Sequence, residues 1–213
     1  MTRMSRAERR AHTRTCLMEA AGRIFSRRGL QQASIDEVAE EAGFTKGAFY
    51  ANFRSKEELF LAMLDERFAA RLEEIEAVLD SDDALAEKTR RAGADLTAHL
   101  RADPEWERLF FEFAAYAARN DDFRQELVTR YRSLREATAA AFARSDERHG
   151  FTPPIPDEDV ALMTCAMANG FALEQLLEPE AVGDDLYGTM LLIFFTGLKA
   201  LAAQHAPAEE ART

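Results

Sequence analysis

Between Lys46 and Lys56 the chain gathers hydrogen-bond donors around residues with almost no side chain. Lys46 and Lys56 offer ammonium groups, Tyr50 a hydroxyl and Asn52 an amide, while Gly47, Ala48 and Ala51 share a bare arc. At about 100° per residue Phe49 and Phe53 fall together on the opposite side, so the arc belongs to the outside of a short helix. A solvated face would carry long polar side chains, and a helical glycine costs about 1 kcal/mol of propensity. Small residues there make room for something large. Donors edging such an arc suit the DNA major groove, gripping phosphates while small residues permit approach; Lys46 can also reach a base edge.

Two capping signals position this segment. Ser34 and Glu37 fit a capping box opening a helix whose apolar face is Ile35, Val38, Ala39 and Ala42. Gly43 supplies the left-handed conformation that ends it, and Thr45 accepts backbone hydrogen bonds as the next N-cap, so the second helix starts at Lys46. The spacing of Leu17, Ala20, Ala21, Ile24 and Phe25 predicts a helix over 13–28 that packs on this pair as a three-helix domain. The candidate DNA contacts are Ser34, Thr45, Lys46, Gly47, Ala48, Tyr50, Asn52 and Lys56.

The stretch FTKGAFYANFRSKEELFLAML, residues 44–64, resembles the recognition helix and following helix of the TetR family of bacterial transcriptional repressors. Leu17, Ala20, Ala21, Ile24, Phe25 and Gly29 resemble that family's first helix. Glycine, aromatic, tyrosine, Phe53 and the SKEEL cap occur in the family's order, with Asn52 where histidine or tyrosine is frequent. The resemblance implies a phosphate contact for Lys56. It also implies dimerisation through the last two helices as a four-helix bundle, with ANGFALEQLLEPEAV as the dimerisation segment. Ligand binding would then shift the helix that begins after Ser55 and move the two recognition helices out of register.

Residues 1–12 are polar and arginine-rich without periodicity, and read as a basic mobile arm. Arg3, Arg6, Arg9 and Arg10 suit a minor groove or phosphates, a solvated tail being the equal alternative. The helix-turn-helix domain is expected over 13–54, a ligand-binding and dimerisation domain over 55–205 and a polar tail over 206–213.

Ser55 with Glu58 opens a helix of about 24 residues, some 36 Å long, with Leu59, Phe60, Met63, Leu64, Phe68, Leu72, Ile75 and Leu79 as its stripe. Pro104 opens a helix dense in aromatics, with Glu112 expected on its polar strip facing solvent. Aromatics are core by default, yet Trp106, Phe110, Phe113, Phe142, Met167 and Phe171 are also candidates to line a pocket for an apolar ligand. Asp157 and Asp184 are expected to cap the last two helices, which carry apolar residues on more than one face. Such surface exceeds what one small body covers, and a second copy of the chain is the expected partner. Ala166, Asn169, Gly170, Leu173, Leu177, Leu191, Phe194, Phe195 and Leu198 are the candidate interface, with Asn169 fixing register there or pointing into a pocket.

With 213 residues and 47% hydrophobic content the chain builds a sizeable core. Residues 1–60 hold 11 Lys and Arg against 8 Asp and Glu; residues 61–213 hold 16 against 30. A basic end on an acidic body suits contact with DNA at one end. Cys16 and Cys165 fall in different helices, which fits unpaired thiols in a reducing cytoplasm. His12 and Cys16 sit four apart without a third ligand, so no metal or other cofactor is expected. The apolar run Met190–Leu198 is shorter than the roughly 20 residues a bilayer needs, so no membrane partner is expected. The expectation is an all-α homodimer that binds a palindromic operator and releases it to a small molecule. No nucleophile, acid–base pair or phosphate loop suggests an enzyme, which stays as an alternative beside a helical carrier without a DNA role.

Overall fold

The computed structural model describes residues 4–205, and all regular structure within them is helical. The helices are α1 Arg6–Gln32, α2 Ile35–Glu41, α3 Lys46–Tyr50, α4 Lys56–Leu79, α5 Leu85–Ala102, α6 Pro104–Ala117, α7 Asp121–His149, α8 Asp157–Leu177 and α9 Leu186–His205. A single 3-10 turn, Pro179–Ala181, precedes α9. Arg3 and the expected tail over 206–213 lie outside the described residues. Two compact units form: 4–69 with Pro104–Arg130, and Ala70–Asp103 with 131–205. The first therefore takes in α6 and the start of α7, which the boundary expected after Arg54 assigned to the body.

The arm expected over 1–12 is helical from Arg6 onward. Ser5 Oγ accepts the Glu8 N–H at 3.1 Å and Glu8 Oε2 accepts the Ser5 N–H at 2.6 Å, a complete capping box. The helix kinks at Gly29, whose φ of 74° favours glycine. A Cβ there would also lie 2.9 Å from Glu112 Oε2 on α6. Glu112 does not simply face solvent: its Oε1 accepts the Gln31 N–H at 3.3 Å. The core of this unit is aromatic. Phe25, Phe49, Phe53, Phe60 and Phe113 are fully buried, and Phe60 stacks on Trp106 at 5.4 Å and meets Phe113 at 4.3 Å between ring centroids. Burial of each such ring stabilises by about 1.5–3 kcal/mol.

In the second unit α5 and α9 cross glycine to glycine. A Cβ on Gly93 would lie 2.5 Å from the Gly188 nitrogen, and one on Gly188 would lie 2.9 Å from the Thr89 carbonyl oxygen. Ala139, Phe142, Val160, Ala161 and Leu198 join α7, α8 and α9 in one cluster, with Phe195 against Phe142 at 5.7 Å. Asp184 pairs with Arg101 at 2.5 Å instead of capping α9, whose first amides bond to the Gly183 and Asp185 carbonyls. Asp157 is likewise not the cap. It is the first residue of α8 after Pro156, and its Oδ1 is buried without a hydrogen-bond partner. Burial first, then the Asp157 charge, pushes the neighbouring Asp146 carboxyl up to about 6.

By length and composition α8 and residues 186–204 of α9 are apolar enough to cross a membrane, with mean hydropathies of 1.3 and 1.6. Length and composition alone do not make them spans: α9 carries Lys199 within this stretch and α8 opens on Asp157, Glu158 and Asp159. Much of this surface points outward: Leu162, Met163, Leu173, Leu177, Leu186 and Ile193 are all exposed.

Candidate nucleic-acid interface

The α2–α3 pair is held by its own backbone. The Phe44 N–H bonds to the Ala39 carbonyl at 2.8 Å and the Gly43 N–H to the Glu40 carbonyl at 3.0 Å, the paired bonds that close a helix through a left-handed residue; Gly43 has φ 74°. Ser34 Oγ accepts the Glu37 N–H at 3.2 Å, and Thr45 Oγ1 accepts the Ala48 N–H at 3.2 Å, both caps as expected. The Ser34 N–H and hydroxyl in turn hold the Glu37 carboxyl below its usual range. Phe49 and Phe53 face inward with 0% and 1% exposure, which turns the small residues outward. Gly47 is exposed, Tyr50 is 52% exposed, and a Cβ on Gly47 would meet nothing nearer than Thr45 Oγ1 at 3.7 Å.

Three further candidate contacts carry internal partners. Lys46 Nζ donates to Asp36 at 2.9 Å, which raises its pKa. Both side chains are more than half exposed, so solvent screening leaves the pair weak and a phosphate can displace it. Asn52 Nδ2 donates to the Ala48 carbonyl at 2.8 Å, closing the end of α3, and its Oδ1 is buried without a partner. The amide expected to reach a phosphate is turned back on its own helix. Lys56 Nζ donates to the carbonyls of Gln31 at 2.7 Å and Ala33 at 3.1 Å. That bond explains a lysine in the first turn of α4, where the dipole disfavours it, without invoking DNA. It was hidden in the sequence because the carbonyls come from the end of α1. Ser55 caps Glu58 as expected, but the Glu58 carboxylate accepts from the Arg54 N–H.

The C-terminal arginines of α1 are neutralised within the domain: Arg23 and Arg27 bond to Glu41 at 2.8 and 3.0 Å, and Arg28 to Glu37 at 2.9 Å. His12 and Cys16 approach to 3.7 Å, and among the described residues no group of three ligating side chains is placed for a metal.

Residues 17–63 match the family described as "Bacterial regulatory proteins, tetR family". Residues 85–194, more than half the chain, match "BetI-type transcriptional repressor, C-terminal". The chain belongs to the TetR family. It is 30% identical over 83% of its length, and 87% of the relative's, to the HTH-type transcriptional repressor SCO4008 of Streptomyces coelicolor. To the HTH-type transcriptional regulator TtgR of Pseudomonas putida it is 27% identical over 91% of this chain and 93% of that one. The fatty acid degradation regulator FadR of Bacillus halodurans shares the fold with TM-score 0.71 at 14% identity, covering 92% of this chain and 97% of that one. This TetR-family protein is thus a DNA-binding transcriptional regulator rather than an enzyme, with an N-terminal helix-turn-helix domain and a helical ligand-binding domain.

The remaining candidates of this TetR-family regulator are distributed differently from expectation. Trp106, Phe110 and Phe113 belong to the first compact unit and Phe142, Met167 and Phe171 to the second. Trp106, Phe110, Phe113 and Phe142 are buried; Met167 and Phe171 are partly accessible, with Phe171 edge-on to Tyr187 at 5.1 Å. On α8 the expected interface residues Ala166, Gly170, Leu173 and Leu177 are exposed in one stripe. Asn169 instead accepts a hydrogen bond from the Tyr131 hydroxyl at 3.4 Å. On α9 Leu191 and Leu198 are buried within the protomer and Phe194 and Phe195 half-buried, whereas Ile193 is 69% exposed. A helix apolar all round gives no sequence signal for which stripe faces in.

Proposed function

We propose that the protein is a cytoplasmic homodimer that represses transcription from an inverted-repeat operator and releases it when a small, largely apolar molecule binds. The supporting observation is the outward arc of α3, where Gly47, Ala48 and Tyr50 are presented on a backbone fixed by the Thr45 cap and Gly43 turn. Ser34, Thr45, Tyr50 and a Lys46 released from Asp36 supply phosphate contacts, with Lys46 also reaching a base edge. Lys56 acts on DNA through the remaining donor of its ammonium group, and Asn52 supports α3 from within.

The partner copy covers α8 and α9. Ala166 and Gly170 form the small centre of the α8 stripe, flanked by Leu162, Leu173 and Leu177; Ile193 and Gly197 form the matching outward surface of α9. Nothing lies within 4 Å of a Cβ on Gly170 or Gly197, so a second helix has room to pack closely. The name of the relative SCO4008 supports repression. The apolar character of the effector rests on Met167 and Phe171, with Phe142, Trp106, Phe110 and Phe113 as further candidates.

The test is a footprint on the DNA flanking the protein's own gene, run with the wild type and Gly170→Arg. The wild type should protect an inverted repeat and elute as a dimer. Gly170→Arg should elute as monomer or precipitate, with operator affinity down by at least about 100-fold, because a single recognition helix buries too little for a specific site. A soluble Gly170→Arg dimer of unchanged stability would move the interface elsewhere.

A further inference from the structure

The first two turns of α1 contain an unused basic surface. Arg6, Arg9, Arg10 and Arg14 are all exposed, and among the described residues none has an acidic partner, in contrast to Arg23, Arg27 and Arg28. At about 100° per residue the four fall within an arc of about 140°. Leu17, Ala20, Ala21 and Ile24 occupy the same arc further along and are buried. One face of α1 is thus aliphatic where the domain covers it and arginine where it runs past. Arg14 marks the changeover, with its guanidinium 4.4 Å from the Phe53 ring just beyond α3. The ridge starts beside Phe53, three residues past the end of α3.

We infer that Arg6, Arg9, Arg10 and Arg14 form a rigid ridge that lies along the phosphate backbone beside the groove entered by α3. This rests on the operator-binding reading above and adds a second, sequence-independent surface to it. The width of the helix favours phosphates over the minor groove. With side chains it is about 10–12 Å wide against a minor groove of about 6 Å. From Arg6 to Arg14 it rises about 12 Å, the axial length of three to four phosphates of one strand at about 3.4 Å each. Contacts of this kind raise affinity for any duplex and are paid in released counterions, so their signature is the salt slope.

The experiment compares wild type, Arg6→Ala/Arg10→Ala and Arg6→Lys/Arg10→Lys on the footprinted operator and an unrelated duplex across a salt series. Alanine keeps the helix, and circular dichroism checks it. The alanine pair should lower the slope of log affinity against log salt by about 1.8 per protomer, and weaken both duplexes by the same factor, on the order of 10-fold or more at 0.15 M. The lysine pair should restore the slope. An unchanged slope in the alanine pair would overturn the ridge and leave the operator reading standing. Loss confined to A·T-rich flanks would overturn it in favour of groove readout, and a changed oligomeric state in favour of a protein contact. A wild type that binds neither duplex would overturn the operator reading itself.

Discussion

Gly47→Glu should abolish operator binding while leaving the fold intact or slightly more stable. Gly47 is the second residue of α3, exposed, and a side chain there meets only Thr45 Oγ1 at 3.7 Å. Glutamate improves helix propensity and complements the positive end of the helix dipole. On DNA the same carboxylate faces phosphates across a surface that admits no long side chain. A like-charge juxtaposition costs several kcal/mol and occurs once per half-site, so affinity should fall by about 1,000-fold in fluorescence anisotropy. Thermal unfolding should be unchanged within about 2 °C. Undiminished binding would show that α3 does not dock by this arc.

The second large effect is on stability and lies far along the chain. Gly93→Ala ordinarily gains about 1 kcal/mol in a helix, but here the methyl carbon would sit 2.5 Å from the Gly188 nitrogen and 2.6 Å from its Cα. The obstruction is backbone, so α5 and α9 must separate, and overpacking of this kind costs about 1–3 kcal/mol or more. The melting temperature should fall by about 2–12 °C, at about 2–4 °C per kcal/mol. Gly183→Ala, with nothing within 4 Å, is the control and should melt with the wild type. Equal melting of both variants would mean that α5 and α9 do not cross at these glycines.

These positions show where the sequence was informative. Ser34, Glu37, Gly43 and Thr45 act within a few residues of their partners, so the α2–α3 geometry followed from spacing alone. Ser5 and Glu8 form the same box as Ser34 and Glu37, but the arginines after them carry no apolar period, and the turn read as an arm. Gly93 and Gly188 carry no local signal, because their meaning lies in a contact between distant segments. The same holds for Lys56, whose partners are carbonyls of Gln31 and Ala33, and for Glu112, whose partner is the Gln31 amide. Leu191 and Leu198, expected at the interface, are buried within the protomer while Ile193 is exposed; all three are equally apolar, and only packing separates them.

The central claim is that two copies of α3 act together through a twofold axis. It is tested by inserting about five base pairs at the centre of the footprinted inverted repeat and measuring affinity at one fixed salt concentration. Half a helical turn carries one half-site to the far face of the duplex, where the second α3 cannot follow. The half-turn operator should bind no better than a single half-site, and a full-turn insertion of about ten base pairs should recover part of the loss. Equal affinity for the native and half-turn operators would contradict the account, because each helix-turn-helix would then be binding alone.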